Sequence, residues 1–252
     1  MLATSLIEAS SVGLRYPTGR LALDGASLAM EAGELVVLLG ANGCGKTTLL
    51  RCIAGMLRPT AGRVRVAGRE LGELSGNALR DARMALGMVF QQARLVRRRT
   101  VLANVQAGTL GRHRTLAAAL GWLPSCERAC ALSCLESVGL EDFAPQRADT
   151  LSGGQAQRAA VARALAQRPR ALLADEPVAS LDPEAAEELM RLLRRLAHGE
   201  GLGVLCVLHQ PDLARRYADR ILGMRAGRIV FDERPGCVAI GDVAGLYEAV
   251  AA

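Results

Sequence analysis

What the chain has little of narrows it first. Aromatic residues are only 3% of its 252 residues, which argues against the stacking platforms that hold single-stranded nucleic acid. The longest mostly apolar stretch without an internal charge, Thr115 to Cys126, falls short of the roughly 20 residues that span a bilayer. Met1 to Ser10 includes Glu8 and no basic segment, so no signal peptide is expected. Disorder is excluded as well, because half of the residues are apolar and 22% are charged. The seven cysteines form no CxxC pair, and reduced thiols are expected. Cys126, Cys130 and Cys134 recur every four residues with no histidine among them. They read as small buried residues on one helix face, not as a metal site.

Lysine is scarcer still. All but one of the 31 basic residues are arginine, and the exception is Lys46. The net charge of +6 would suit nucleic acid or an anionic membrane surface. The place of the single lysine says more, because it lies inside a glycine-rich loop. There a compact ammonium fits where a wide guanidinium fork would not.

The length suits one to two domains at about 150 residues each. Leu35 to Leu39 is a continuous aliphatic run, the mark of a strand buried on both faces of a parallel sheet. Leu49, Leu50, Ile53 and Leu57 then recur at helical spacing, with Gly55 and Pro59 as stop signals. A second strand, Ala171 to Ala174, runs into Asp175 and Glu176. Beyond it Asp182 caps a helix with Pro183 at its first position and Leu189, Leu192, Leu193 and Leu196 on its apolar face. A third strand, Val204 to Leu208, ends at His209. Strands alternating with helices imply an α/β sheet with ligands at the carboxyl ends of its strands. Residues 92–149 read as an inserted helical subdomain, including a helix from a Ser125 cap through Leu132 and Leu135 to Gly139. Arg220 to Met224 and Arg228 to Asp232 suggest a hairpin. The tail after Gly236 is short and carries no readable site.

Gly40-Ala41-Asn42-Gly43-Cys44-Gly45-Lys46-Thr47 fits GxxxxGK[ST], preceded by a strand and followed by a helix. Its glycines let backbone N–H groups curl around phosphate oxygens at a helix N-terminus. Lys46 would reach the β- and γ-phosphates of a nucleotide, and Thr47 would ligate Mg²⁺. The Asp175-Glu176 pair at the end of a buried strand costs desolvation unless a cation or proton offsets it. Asp175 suits Mg²⁺, and Glu176 suits a general base acting on water. Leu151-Ser152-Gly153-Gly154-Gln155 opens another helix with capping-box spacing. Consecutive glycines in a first turn cost about 1 kcal/mol each relative to alanine, so something is expected to approach that backbone, an anion first of all.

Gly40 to Thr48, Gln91, Leu151 to Gln155, Asp175-Glu176, Ser180-Leu181-Asp182 and His209 stand in the order of the ATP-binding-cassette (ABC) ATPases, which the chain resembles over nearly its whole length. The resemblance implies a RecA-like parallel-sheet core over residues 1–91 and 150–236, with an N-terminal antiparallel β part. It implies a helical subdomain over 92–149 and a short tail over 237–252. It also implies two copies facing head to tail, with ATP between the phosphate loop of one and Ser152, Gly153, Gly154 and Gln155 of the other. Gln91 would sense Mg²⁺ and the attacking water, His209 would contact the γ-phosphate, and Asp182 would lie in the loop linking the two sites. Tyr16 stands where an aromatic ring stacks on adenine, though it could equally be a surface residue at a strand end. His113 and His198 match nothing and are expected to face solvent.

Phe90-Gln91-Gln92, Leu95-Val96, Asn104-Val105, Gly121-Trp122-Leu123-Pro124, Pro177-Val178-Ala179-Ser180 and Leu208-His209-Gln210 are similar to phosphonate-importer ATPases. That likeness implies a peripheral subunit on the cytoplasmic face of the inner membrane, beneath a permease fed by a periplasmic binding protein. Cys44 and Ala93-Arg94 depart from the pattern without removing a catalytic group. Another oxyanion importer, an exporter ATPase or a non-transport regulatory ABC ATPase are the alternatives. Arg97-Arg98-Arg99 reads as a solvated charge run, or as an edge facing the membrane subunit or anionic head groups. Nucleic acid is not expected as a partner, since the long insertions of DNA-repair ABC ATPases are missing.

Overall fold

In the computed structural model, which describes residues 5–113, 115 and 123–247, the aliphatic run forms a strand, β3 (Leu35–Leu39), with all five residues buried. Period-two geometry splits it between two cores. Leu35, Val37 and Leu39 enter one cluster, and Val36 and Leu38 the other. The same division holds along β7 (Ala171–Asp175) and β8 (Gly203–Val207). These strands, with β6 (Leu86–Val89), β9 (Arg220–Arg225) and β10 (Arg228–Glu233), form a sheet of order β10-β9-β3-β8-β7-β6. It is parallel except for the β9–β10 hairpin. Ala226 and Gly227 close that hairpin with φ of 47° and 80°, the two positive values that a tight two-residue turn requires.

A second sheet, β2-β1-β4-β5, is antiparallel and built from β1 (Ile7–Arg15), β2 (Leu21–Met30), β4 (Ala61–Val66) and β5 (Arg69–Glu70). Helix α1 (Lys46–Ile53) lies between the sheets and adds Leu49, Leu50, Cys52 and Ile53 to their shared core. Helix α2 (Gly76–Arg83) contributes Ala82. The other face of the parallel sheet is covered by α3 (Val101–Gln106), α4 (Ser125–Ser137), α5 (Gly153–Leu165), α6 (Pro183–Glu200) and α7 (Pro211–Tyr217). Each fully buried leucine or isoleucine here contributes about 1.5–3 kcal/mol. No helix among the described residues is long and apolar enough to cross a membrane.

The inserted segment departs from expectation in detail. Helix α4 begins at Ser125, with Pro124 rather than Ser125 in the cap position. Its buried stripe is Glu127, Ala131 and Leu135, one residue along from the cysteines. Cys126 is exposed, and Cys130 and Cys134 are half-buried. An acid can occupy the buried face because Arg112 ion-pairs with it and His113 Nε2 lies 2.8 Å from its Oε1. His113 is therefore an inward partner and not a solvent-facing residue. His198 is exposed as expected, 2.9 Å from Asp219 Oδ2. Gly121 and Trp122, and most of the Thr115–Cys126 run, lie outside the described residues.

The tail holds an unforeseen element, α8 (Ile240–Tyr247), whose Val243 and Leu246 are buried. Arg97, Arg98 and Arg99 are exposed, yet their loop is built rather than loose. Buried Asn104 accepts from Val96 N at 2.6 Å and donates to Val96 O and Thr100 O.

On α4 the structure separates two leucines that the spacing had grouped. Leu135→Ala should cost about 2–5 kcal/mol. Leu132→Ala, at a position 37% exposed, should stay within about 0.5 kcal/mol. Urea unfolding of both variants checks this, and equal losses would mean that α4 presents a different face.

Candidate active site

The phosphate loop is shaped by what leaves no room for a side chain. A Cβ on Gly40 would lie 2.3 Å from Met224 O, and one on Gly45 would lie 2.6 Å from Ala22 O. The carbonyl of Cys44 accepts the Gly227 N–H at 2.8 Å, so the hairpin turn holds the loop from behind. Lys46 is 4% exposed, and its ammonium donates to Gly40 O at 2.7 Å and Ala41 O at 3.0 Å. An ammonium has a third proton, and this one stands at a helix N-terminus where the backbone dipoles also favour an anion. Asn42 and Gly43 are exposed at the tip of the loop. A cavity of about 100 Å³ opens there, lined by Asn42, Gly43, Lys46, Thr47, Thr48 and Glu176.

Across that cavity, Thr47 Oγ1 donates to Asp175 Oδ1 at 3.0 Å. Burial pushes the Asp175 carboxyl above its ordinary range; the Thr47 bond opposes this and the Glu176 charge adds to it. A hydroxyl and a carboxylate with partial solvent access are the hard oxygen donors that Mg²⁺ takes, in a site that leaves room for phosphate and water. No cluster of three or more His, Cys, Asp or Glu that could hold a metal occurs among the described residues. A cation held by one carboxylate and one hydroxyl fits this donor set, and its charge would offset the desolvation of Asp175.

Glu176 adopts φ of 51°, a left-handed backbone that costs a non-glycine residue about 1–3 kcal/mol and concentrates at functional sites. Its Oε1 lies 2.6 Å from His209 Nε2. The phosphate loop, the carboxylate pair and the histidine follow β3, β7 and β8, three neighbouring strands. Tyr16 Oη lies 3.3 Å from Thr48 Oγ1, which ties the aromatic ring to the first turn of α1.

The remaining expected residues lie elsewhere in the chain. Ser152, Gly153, Gly154 and Gln155 form the capping box of α5, with Gln155 N donating to Ser152 Oγ at 3.2 Å and Ser152 N to Gln155 Oε1 at 2.9 Å. None of the four lines the cavity at the phosphate loop. Gly154 has a reason within the chain, because a Cβ there would meet Ala185 Cβ of α6 at 2.9 Å. Gly153 is exposed, with only Leu181 Cδ2 within ordinary contact. Asp182 caps α6, accepting Ala185 N at 2.9 Å. Gln91 is exposed in the segment after β6.

Three residues escaped the sequence reading. Arg20 lines the cavity and reaches Gly43 O. Buried Gln157 donates to Phe90 O at 2.7 Å, and Arg163 donates to Ala93 O and Arg94 O at 2.8 and 2.7 Å. Their one visible signal is that a glutamine and an arginine interrupt an alanine-rich helix.

A parallel sheet that delivers a glycine loop, a carboxylate pair and a histidine to adjacent strand ends defines the class: a phosphate-loop ATPase cassette. The comparison with known proteins goes further. The chain belongs to the ABC transporter family, whose family model matches residues 23–179. It is 53% identical over 216 residues to a phosphonates import ATP-binding protein, PhnC, of Frankia casuarinae, covering 86% of this chain and 85% of that one. It is 45% identical to a phosphite import ATP-binding protein, PxtA, of Stutzerimonas stutzeri, covering 96% of this chain and 87% of that one. Among solved structures, the bacterial ABC transporter cassette MJ0796 is 34% identical with a TM-score of 0.79, covering 91% of this chain and 98% of that one. It has been solved as a dimer and in a post-hydrolysis state with ADP and Pi.

Gly153 and Gly154 should respond differently to substitution. Gly154→Ala should destabilise the fold by about 1–3 kcal/mol through overpacking against α6. Gly153→Ala should leave thermal stability unchanged or slightly raised while lowering ATP turnover. Calorimetry alongside an ATPase assay checks the pair, and a Gly153→Ala variant with normal turnover would leave its glycine without a functional reason.

Proposed function

We propose that the chain is the ATP-hydrolysing subunit of an importer for a phosphonate or a related phosphorus oxyanion. It works as a homodimer on the cytoplasmic face of the inner membrane, beneath a permease supplied by a periplasmic binding protein. The observation that carries the catalytic part is the 2.6 Å contact between Glu176 and His209 beside the phosphate-loop cavity. The relatives, named for phosphonate and phosphite import, support the cargo class. Residues 1–91 and 150–236 form the nucleotide-binding core, residues 92–149 the helical subdomain, and residues 237–252 the tail.

In this reading the loop from Gly40 to Thr48 cradles the phosphates and Lys46 holds the β- and γ-groups. Tyr16 stacks on the adenine. Thr47, Asp175 and Gln91 hold Mg²⁺, which when bound neutralises charge on the phosphates. Glu176 takes a proton from water, and its contact with His209 orients the carboxylate toward the cavity. His209 itself contacts the γ-phosphate. Ser152, Gly153, Gly154 and Gln155 of a second copy close over the nucleotide, with Asp182 in the loop between sites. The exposure of Ser152 and Gly153, away from the phosphate loop of their own chain, supports that arrangement.

A groove of about 500 Å³ beside Phe90 supports permease docking. It is lined by Arg80, Arg83, Arg94 and Arg163 with three methionines and no acidic residue. An apolar segment bearing carboxylates would match it.

Glu176→Gln should keep ATP binding, accumulate ATP-bound dimer and lose at least about 100-fold in kcat. Hydrolysis at the wild-type rate in that variant would sink the general-base assignment. Lys46→Ala should instead lose nucleotide affinity. For the cargo, a deletion strain should fail to grow on a phosphonate or phosphite as sole phosphorus source, yet grow on inorganic phosphate. Rescue by wild type and not by Glu176→Gln ties the defect to turnover, and unimpaired growth on all three would point to other cargo.

A further inference from the structure

The end of the chain reaches the catalytic site by a route that no motif announces. Helix α8 packs on β9, with Val243 and Leu246 buried. β9 is the strand whose Met224 carbonyl presses against Gly40. In the last turn of α8, the Tyr247 hydroxyl donates to the backbone carbonyl of His209 at 3.4 Å.

The place of this bridge in the sheet gives it meaning. β3 and β8 are paired in parallel from Leu35–Val204 to Leu38–Val207. Leu208 N donates to Leu38 O at 3.2 Å. Past that rung the two chains leave the sheet, one into the phosphate loop at Gly40 and the other into His209. Tyr247 stands where the ladder has run out and bonds the carbonyl of His209 from α8. We propose that Tyr247 is a positioning residue for ATP hydrolysis, fixing the His209 backbone to α8, which packs on the strand that backs the phosphate loop. This rests on the reading that His209 and the phosphate loop act on the same phosphate.

Burial pushes the ionisation of Tyr247 upward, the Cys44 thiol pushes it the same way, and the Gly40 N–H opposes both. The phenol therefore stays a neutral donor at neutral pH. Nucleotide affinity comes from Lys46 and the loop N–H groups beyond Gly40, which the bridge does not touch. The angle at which His209 and its partner Glu176 meet the phosphate is what the bridge sets. Small misplacements of catalytic groups act on the chemical step, where about 1 Å can cost on the order of 100-fold.

The test uses the full-length chain assembled with its permease, at saturating MgATP. Tyr247→Phe keeps the ring and removes only the hydroxyl. It should lower kcat about 3- to 10-fold, the range expected for one lost hydrogen bond, with the KM for ATP within about twofold and the unfolding midpoint unchanged. His209→Ala, measured in parallel, separates the two levels of the argument. Intact turnover in His209→Ala would overturn the reading of His209, and the bridge with it. Lost turnover in His209→Ala together with wild-type kcat in Tyr247→Phe would overturn the bridge alone. A Tyr247→Phe loss shared equally by kcat and KM, or matched by a lower unfolding midpoint, would also overturn it by assigning Tyr247 a binding or purely structural role.

Discussion

The rest of the site depends on the closeness with which two backbones hold the phosphate loop. Met224 O stands 2.3 Å from where a Cβ of Gly40 would be, and Ala22 O stands 2.6 Å from that of Gly45. One contact comes from β9 of the parallel sheet, and the other from β2 of the antiparallel sheet. The loop is thus held between two sheets that meet on a common core, and it can pass between them only as glycine. Every functional group downstream takes its position from this. The ammonium of Lys46 folds inward because the carbonyls of Gly40 and Ala41 are turned toward it. Thr47 faces Asp175 because α1 can start in only one direction from that grip.

The central architecture was legible in the sequence because its signals are local and redundant. A five-residue aliphatic run, a glycine loop and an ordered helix start constrain one another, and β3, the loop and α1 follow with little freedom. The acid pair at the end of β7 and the histidine past β8 were legible for a related reason. Ionisable groups directly after a buried strand lose hydration, and a ligand or a charged partner at the strand end restores what was lost. Periodicity was less informative on α4. Three cysteines and the triplet Glu127, Ala131 and Leu135 share one spacing, and side-chain apolarity favoured the cysteines. The deciding fact was the pairing of Glu127 with Arg112 and His113 across 14 residues or more of sequence, which no window on the helix contains. Gly154 was legible as an anomaly whose cause was only partly visible, since its close neighbour Ala185 belongs to a helix that folds back from beyond β7. Helix α8 was missed because its few apolar residues are weak evidence alone and gain their meaning from the surface of β9.

Helix α5 joins segments that lie far apart in sequence. Its N-terminus carries the capping box of Ser152 and Gln155. Gln157 holds the carbonyl of Phe90, next to Gln91, and Arg163 holds the carbonyls of Ala93 and Arg94. Just before the helix, Asp149 N and Ala148 N donate to the carbonyls of Arg97 and Arg99 at 3.1 and 2.9 Å. The segment from Phe90 to Arg99 is therefore bound to α5 and its entry by hydrogen bonds along its length, and buried Asn104 fixes the loop between.

That arrangement constrains how a push on the arginine-lined groove can travel. A displacement at Arg94 must either break two charge-assisted bonds to Arg163 or move α5, whose N-terminus is the turn of Ser152 and Gly153. Bonds to a charged donor are worth about 1.5–3 kcal/mol each, and α5 meets α6 through Gly154 against Ala185 and through the Arg158–Glu188 pair at 4.0 Å. The backbone beside Gln91 and the turn of Ser152 and Gly153 are thus tied to one and the same helix. The small residues at the α5–α6 contact, Gly154 against Ala185, are what let the two helices approach so closely that any shift of α5 is felt by α6.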